Sequence, residues 1–126
     1  MVSIMRYLLL VATFIALSAA PAFAECQPAD APITGRLALL ETRHPAGHEI
    51  RSWVLLTSEI CVTMEMVDGE IADVTPGVVQ LVFAEGKEPE DLMALAAEEV
   101  TARGEPMEPH TAWHVGDVVL MNATIE

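Results

Sequence analysis

The chain has two cysteines, Cys26 and Cys61, and what stands in front of the first decides how they are read. Residues 1–24 carry one positive charge at Arg6, continue as the apolar run YLLLVATFIAL (7–17) and end on AFA (22–24). A charged start, a short apolar segment and an A-x-A site are the marks of a secretory signal peptide. A bilayer-spanning helix needs about 20 apolar residues, and Pro21 cuts this run short. A lipid anchor on Cys26 is disfavoured, because Glu25 stands where such a site needs a small residue. The expected product is a periplasmic or secreted protein of residues 25–126, with no stable membrane insertion after cleavage. Export brings the chain into contact with oxidants, so a Cys26–Cys61 disulfide is expected, with two buried free thiols as the alternative. The bond closes a loop of about 35 residues and stabilises by roughly 3–4 kcal/mol in the chain-entropy picture.

A chain starting at residue 25 suits one small domain, which buries about 60–65% of its unfolded surface and benefits from such a staple. Its charge narrows the partners. With Arg6 removed, five basic residues face nineteen acidic ones, a net charge of −14, and Lys87 is the single lysine. Phosphate backbones and anionic headgroups both call for Lys and Arg, so nucleic acid and acidic membrane surfaces are disfavoured. A small ligand, a metal ion or an envelope protein with a basic face stays open, and a solvated acidic surface accounts for the charge without any partner.

Period-2 alternation governs most of the chain. Residues 25–32 read as an extended lead-in with two prolines, and 33–42 as a strand in which Gly35 marks a bulge or a close backbone approach. Residues 43–49 form a loop around Pro45 and Gly47. Residues 50–66 form one bent strand or two; from Ile60 the residues Ile60, Val62, Met64 and Met66 share a face. A polar connection with Asp68–Gly69 and Pro76–Gly77 turns covers 67–77. The run 78–84 is apolar on both faces and therefore central. Residues 86–99 change period: Pro89 suits a first helical position, Glu90 and Asp91 suit the positive helix end, and Leu92, Leu95 and Ala96 make a stripe, giving a helix of two to three turns. Strands return over 99–107 and 117–126, the last with Val119, Met121, Ala123 and Ile125 on one face. The expected fold is mainly β: a single domain, 25–126, forming a small five-stranded OB-like barrel with one short helix between strands 3 and 4. An open five-stranded sheet crossed by the helix is the alternative, since alternation alone does not report closure.

In this order the pieces resemble the exported bacterial family catalogued as domain of unknown function 4431. The resemblance rests on Cys26 ahead of ITGRL (33–37), on SWVLLTSEICV (52–62) with Trp53 before Cys61, and on VVQLVFA (78–84). It continues through the short helix, a strand that reaches Gly104, and a histidine-containing turn leading into DVVLMNATI (117–125). It implies a small exported β-barrel bridged by Cys26 and Cys61, and it implies no activity. The family's last turn is richer in histidine; here only His110 and His114 match, with Trp113 and Val115 at other positions, which weakens any shared metal site.

The chemistry-bearing residues gather in two loops. His44 and His48 follow the first strand, and EPHTAWH (108–114) carries His110, Trp113 and His114 before the last. In an OB-type barrel these loops flank one binding face, so His110, Trp113 and His114 are the candidate ligand-binding residues. His44, His48, His110 and His114, with Glu49, Glu108 or Asp117 nearby, are the candidate ligands for zinc or copper; ordinary polar turn residues are the competing account. Pro109 and Gly116 argue against a helical histidine pair. Trp113 suits a stacking platform for a sugar or aromatic ligand, or a lid over the barrel end, while Trp53 is expected in the core. Met64, Met66, Met93, Met107 and Met121 raise soft copper ligation, with core filling as the better account of most. No G-x-S-x-G, H-E-x-x-H or phosphate loop is present and the carboxylates pair in no distinctive way, so no catalytic residue is assigned and no enzyme is expected. The functional expectation is a binding or accessory module of unknown ligand. A loop-histidine metal protein and an envelope-interaction module with an acidic face are the alternatives.

Overall fold

The structure, a computed structural model, describes residues 25–126; the expected signal peptide, 1–24, lies outside the described residues. The elements are β1 (Gln27–Pro28), β2 (Ile33–Arg43), β3 (Glu49–Leu56), β4 (Val62–Glu65), β5 (Ile71–Val74), β6 (Val78–Phe83), α1 (Leu92–Leu95), β7 (Glu99–Met107) and β8 (Val118–Ile125). The molecule is mainly β and has two sheets. The larger closes on itself in the order β2-β3-β6-β8-β7, with β7 pairing back to β2. Every neighbouring pair in this ring is antiparallel except β6 and β8, which run parallel. The smaller sheet has the order β1-β4-β5. Among the described residues no helix is long and apolar enough to cross a membrane.

Alternation builds the interior as expected from Ile60 on. Val62 and Met64 are buried, and Ile60 and Met66 pack against the same cluster. That cluster also takes Leu37, Leu55, Val79, Leu81, Val118 and Leu120 from the ring and Leu92 from the helix. The small sheet and the helix are therefore plugs of the ring's core rather than a second core. The segment 50–66 is two strands, not one: β3 ends at Leu56, and β4 belongs to the other sheet. Trp53 is half-buried against the core rather than enclosed by it.

Cys26 and Cys61 form a disulfide, with Cα atoms 4.4 Å apart. The lead-in is tied down beside it: Gln27 N–H donates to the Cys61 carbonyl at 2.8 Å, and β1 pairs parallel with the start of β4. The bond thus fastens the N-terminal segment to the small sheet.

Three expectations need correction. The polar connection 67–77 holds a further strand, β5, which pairs with β4 across the Asp68–Gly69 turn, where Gly69 takes φ 86°. Ile71 stays 67% exposed on this edge, so burial left no pattern to read. The helix has four residues, not two to three turns, and Pro89 lies before it. Sheet hydrogen bonds end it: Ala97 N–H donates to the Leu37 carbonyl and Leu37 N–H donates to that of Glu98, at 2.7 and 2.9 Å. Pairing with β2 captures residues whose side chains alone favour helix. In β8, Val119 and Ala123 do not share a face. Asn122 takes φ 51° and adds one residue to β8 opposite both neighbours: Glu105 to Arg103 spans what Met121 to Thr124 spans, and Leu81 to Phe83 what Leu120 to Ala123 spans. A one-residue bulge inverts alternation, so Ala123 points inward with Val118 and Leu120.

Close backbone approach explains two glycines. A Cβ on Gly35 would lie 2.8 Å from the Leu56 carbonyl oxygen, and one on Gly104 would lie 2.6 Å from that of Met121.

Candidate functional site

The β2–β3 turn is closed by His44 N–H donating to the His48 carbonyl at 2.7 Å, and by Gly47 N–H donating to the His44 carbonyl at 2.8 Å. Gly47 takes φ 94°, a conformation that glycine supplies without a side-chain penalty. The turn is tight, so both imidazoles stand at its base.

The β7–β8 connection, 108–117, forms no helix. It is held at both ends by side chains that accept backbone N–H groups. Asp117 Oδ2 accepts those of Gly77 and Val78, at 2.8 and 3.1 Å. Glu108 Oε2 accepts that of Val67 at 2.9 Å. Neither carboxylate is a free ligand. Its middle is fastened to the outside of the ring. Leu37 and Leu55 pair and face inward, so Val54, opposite Ala38, faces outward. By the same alternation Ile50, Ser52, Gln80 and Val119 belong to the outer wall. All five outer-wall residues are buried. Val115 N–H donates to Gln80 Oε1 at 2.8 Å, and Gln80 Nε2 donates to Ser52 Oγ at 3.4 Å. The connection is a strap across the ring's outer wall, with a polar pair beneath to satisfy its backbone.

The strap brings Trp113 to the β2–β3 turn. Its indole centroid lies 4.3 Å from the imidazole of His44 and 6.1 Å from that of His48, the latter pair near-parallel at 23°. Trp113 nevertheless stays 51% exposed. Trp113, His44 and His48 thus form one aromatic surface assembled from two loops. His110 and His114 form a separate pair, with centroids 4.9 Å apart and rings edge to face.

The four histidines do not assemble as one ligand set. Among the described residues, the only group of three or more histidine, cysteine or acidic ligand atoms within 4.8 Å is Cys26, Cys61 and Asp73, and its sulfurs are bonded to each other. Hydrogen bonds also fix ring protons. His44 Nδ1 accepts Ala46 N–H at 3.0 Å, and His114 Nδ1 accepts His110 N–H at 3.2 Å. A neutral imidazole that accepts at Nδ1 carries its proton on Nε2 and offers no lone pair there. His110 is the reverse: its Nδ1 lies 3.1 Å from the Glu108 carbonyl oxygen, which can only accept, so Nε2 keeps the lone pair. Burial, and secondarily the charge of His110, hold the pKa of His114 below its ordinary 6.5. Glu49 is exposed in β3, opposite Arg43.

Sequence reading places the two loops together only through an assumed topology, and it misses Gln80, the residue that fixes the strap. A lone glutamine in an apolar run is the signal that points to it. No family model, curated protein or solved structure matches the chain.

Proposed function

We propose that this chain is an exported, disulfide-stapled OB-type barrel that works as a binding or accessory module, not as an enzyme, and that its ligand stacks on Trp113. The OB-type assignment is supported by the ring order, by the parallel β6–β8 pair and by a helix between the third and fourth ring strands. Export to the periplasm or beyond is supported by the signal-like 1–24 segment and by the disulfide, which fits an oxidising compartment. The resemblance to the exported family of domain of unknown function 4431 agrees with this placement.

One observation carries the functional reading: Trp113 is held against His44 and His48 by a strap with its own hydrogen-bonded base, and half of it still faces solvent. An indole required only for packing is normally enclosed. A rigid, half-exposed aromatic plane with imidazole donors beside it suits a sugar ring or another planar ligand. The acidic surface turns such a site toward neutral or cationic ligands.

A fluorescence titration tests this. In a Trp53→Phe variant, Trp113 is the single indole reporter. Against a panel of neutral and amino-sugar oligosaccharides and small aromatic cations, at least one class is expected to shift its emission saturably, and His44→Ala is expected to weaken that response. A flat response to the whole panel contradicts the reading.

A further inference from the structure

Three methionines from three separate parts of the chain line one hollow of about 360 Å³. Met66 directly follows β4, Met107 ends β7 and Met121 lies in β8. The walls are fixed by contacts already described. Met121 pairs across β8 and β7 with Glu105, two residues before Met107, so both thioethers lie on the same side of that strand pair. The Val67 N–H bond to the Glu108 carboxylate clamps the β4–β5 turn, and Met66 with it, against the start of the strap. All three methionines are half-buried. Met64 by contrast is sealed in the core at 2% exposure, and Met93 stands out at 70%. Core filling accounts for Met64 and in part for Met66, which also packs against the core, but not for Met107 and Met121 beside it around an open hollow.

His110 lines the same hollow. Its Nδ1–H is committed to the Glu108 carbonyl. That is the outer bond characteristic of metal-bound histidines, and it leaves Nε2 with its lone pair. Of the three histidines whose ring hydrogen bonds are defined, this is the one in the ligating form. Glu65, Glu105 and Glu108 also line the hollow and make it attractive to a cation. Both cysteines are bonded to each other, so soft-metal chemistry in this chain falls to the thioethers.

We propose that this hollow is a copper(I) site with Met66, Met107, Met121 and His110 as the donor set. Thioether sulfur selects copper(I), and imidazole also suits copper. Zinc favours thiolate, imidazole and carboxylate, so three neutral thioethers discriminate against it. The site is distinct from the Trp113 surface and differs in composition from the loop-histidine set expected from the sequence. It shares with that set only His110.

Anaerobic titration of the purified full chain with copper(I), against a competing chelator, tests the proposal. The expected result is one copper per chain, sulfur and nitrogen scattering in X-ray absorption, and no displacement by zinc. Replacing Met66, Met107 and Met121 together by Leu conserves volume and is tolerated by packing. It is expected to weaken binding by more than about 100-fold, and His110→Ala by at least about 10-fold, since loss of a donor costs no less than loss of an outer partner. A second readout needs no variant. With silver(I) as a redox-inert probe, the methyl resonances of Met66, Met107 and Met121 should move while those of Met64 and Met93 stay. Copper(I) lost to a weak chelator, unchanged affinity in the triple Leu variant, or methyl shifts elsewhere would each overturn the proposal.

Discussion

The indole of Trp113 lies against the imidazole of His44 at a centroid separation of 4.3 Å and a tilt of 32°, joining a strap before the last strand to a turn after the first strand of the ring. Aromatic contacts of this kind contribute about 0.5–1.5 kcal/mol beyond buried area. His44→Ala is therefore expected to lower the urea midpoint modestly. It should also increase iodide quenching of Trp113 in a Trp53→Phe background. Unchanged quenching would show that the strap, not the turn, sets the position of the indole.

Gln80 supports that strap from below. Gln80→Ala leaves the Val115 N–H without its acceptor and removes the partner of Ser52 Oγ. A fully buried unmet donor costs about 1–3 kcal/mol, and the half-buried Val115 N–H places the loss at the lower end of that range. The expected outcome is a loss of that size in urea unfolding, with faster amide exchange at 113–117 than in β2 or β3. Uniform acceleration across the ring would contradict a local anchoring role.

The Cys26–Cys61 bond fixes the N-terminal segment to β4. Replacing both cysteines by Ser is expected to cost about 3–4 kcal/mol, or roughly 12–30 °C in Tm for a domain of this size. Differential scanning calorimetry of the two proteins checks it, and equal midpoints would refute it.

His114 makes stability depend on pH. Its folded pKa is depressed, so between that value and the ordinary 6.5 the unfolded chain binds more protons than the folded one. Stability from this group is complete above 6.5 and is lost as pH falls through the interval below it. Protonation at Nδ1 also breaks the acceptor role toward His110 N–H. His114→Asn keeps an acceptor near that position and does not titrate. Urea midpoints between pH 7.5 and 5 should fall less steeply for His114→Asn than for the parent, and equal slopes would contradict the assignment.

The sequence carries some of this architecture and hides the rest for identifiable reasons. Ile60 to Met66 announce a strand because one side of it is core. β5 does not, because it pairs on an exposed edge and buries little. The helix is overestimated because residues 96–98 have helical side chains, while β2 needs their backbone. Asn122 inverts the facing of β8 through a single left-handed residue, which alternation cannot register. For the candidate site, histidine content marks the two loops. The division into a Trp113–His44–His48 surface and a His110–His114 pair depends on how the strap docks on Gln80, and the methionine hollow depends on the Glu108–Val67 clamp. Both are long-range hydrogen bonds with no local pattern.

The central claim is that ligand meets the edge built by the β2–β3 turn and the strap. The most direct measurement is an NMR titration of the isotope-labelled protein with the saccharide and aromatic panel, following both indole resonances and the histidine rings. Saturable shifts at Trp113, His44 and His48, with Trp53 unmoved, are the predicted result. Shifts centred on Trp53, or none for any member of the panel, would contradict it.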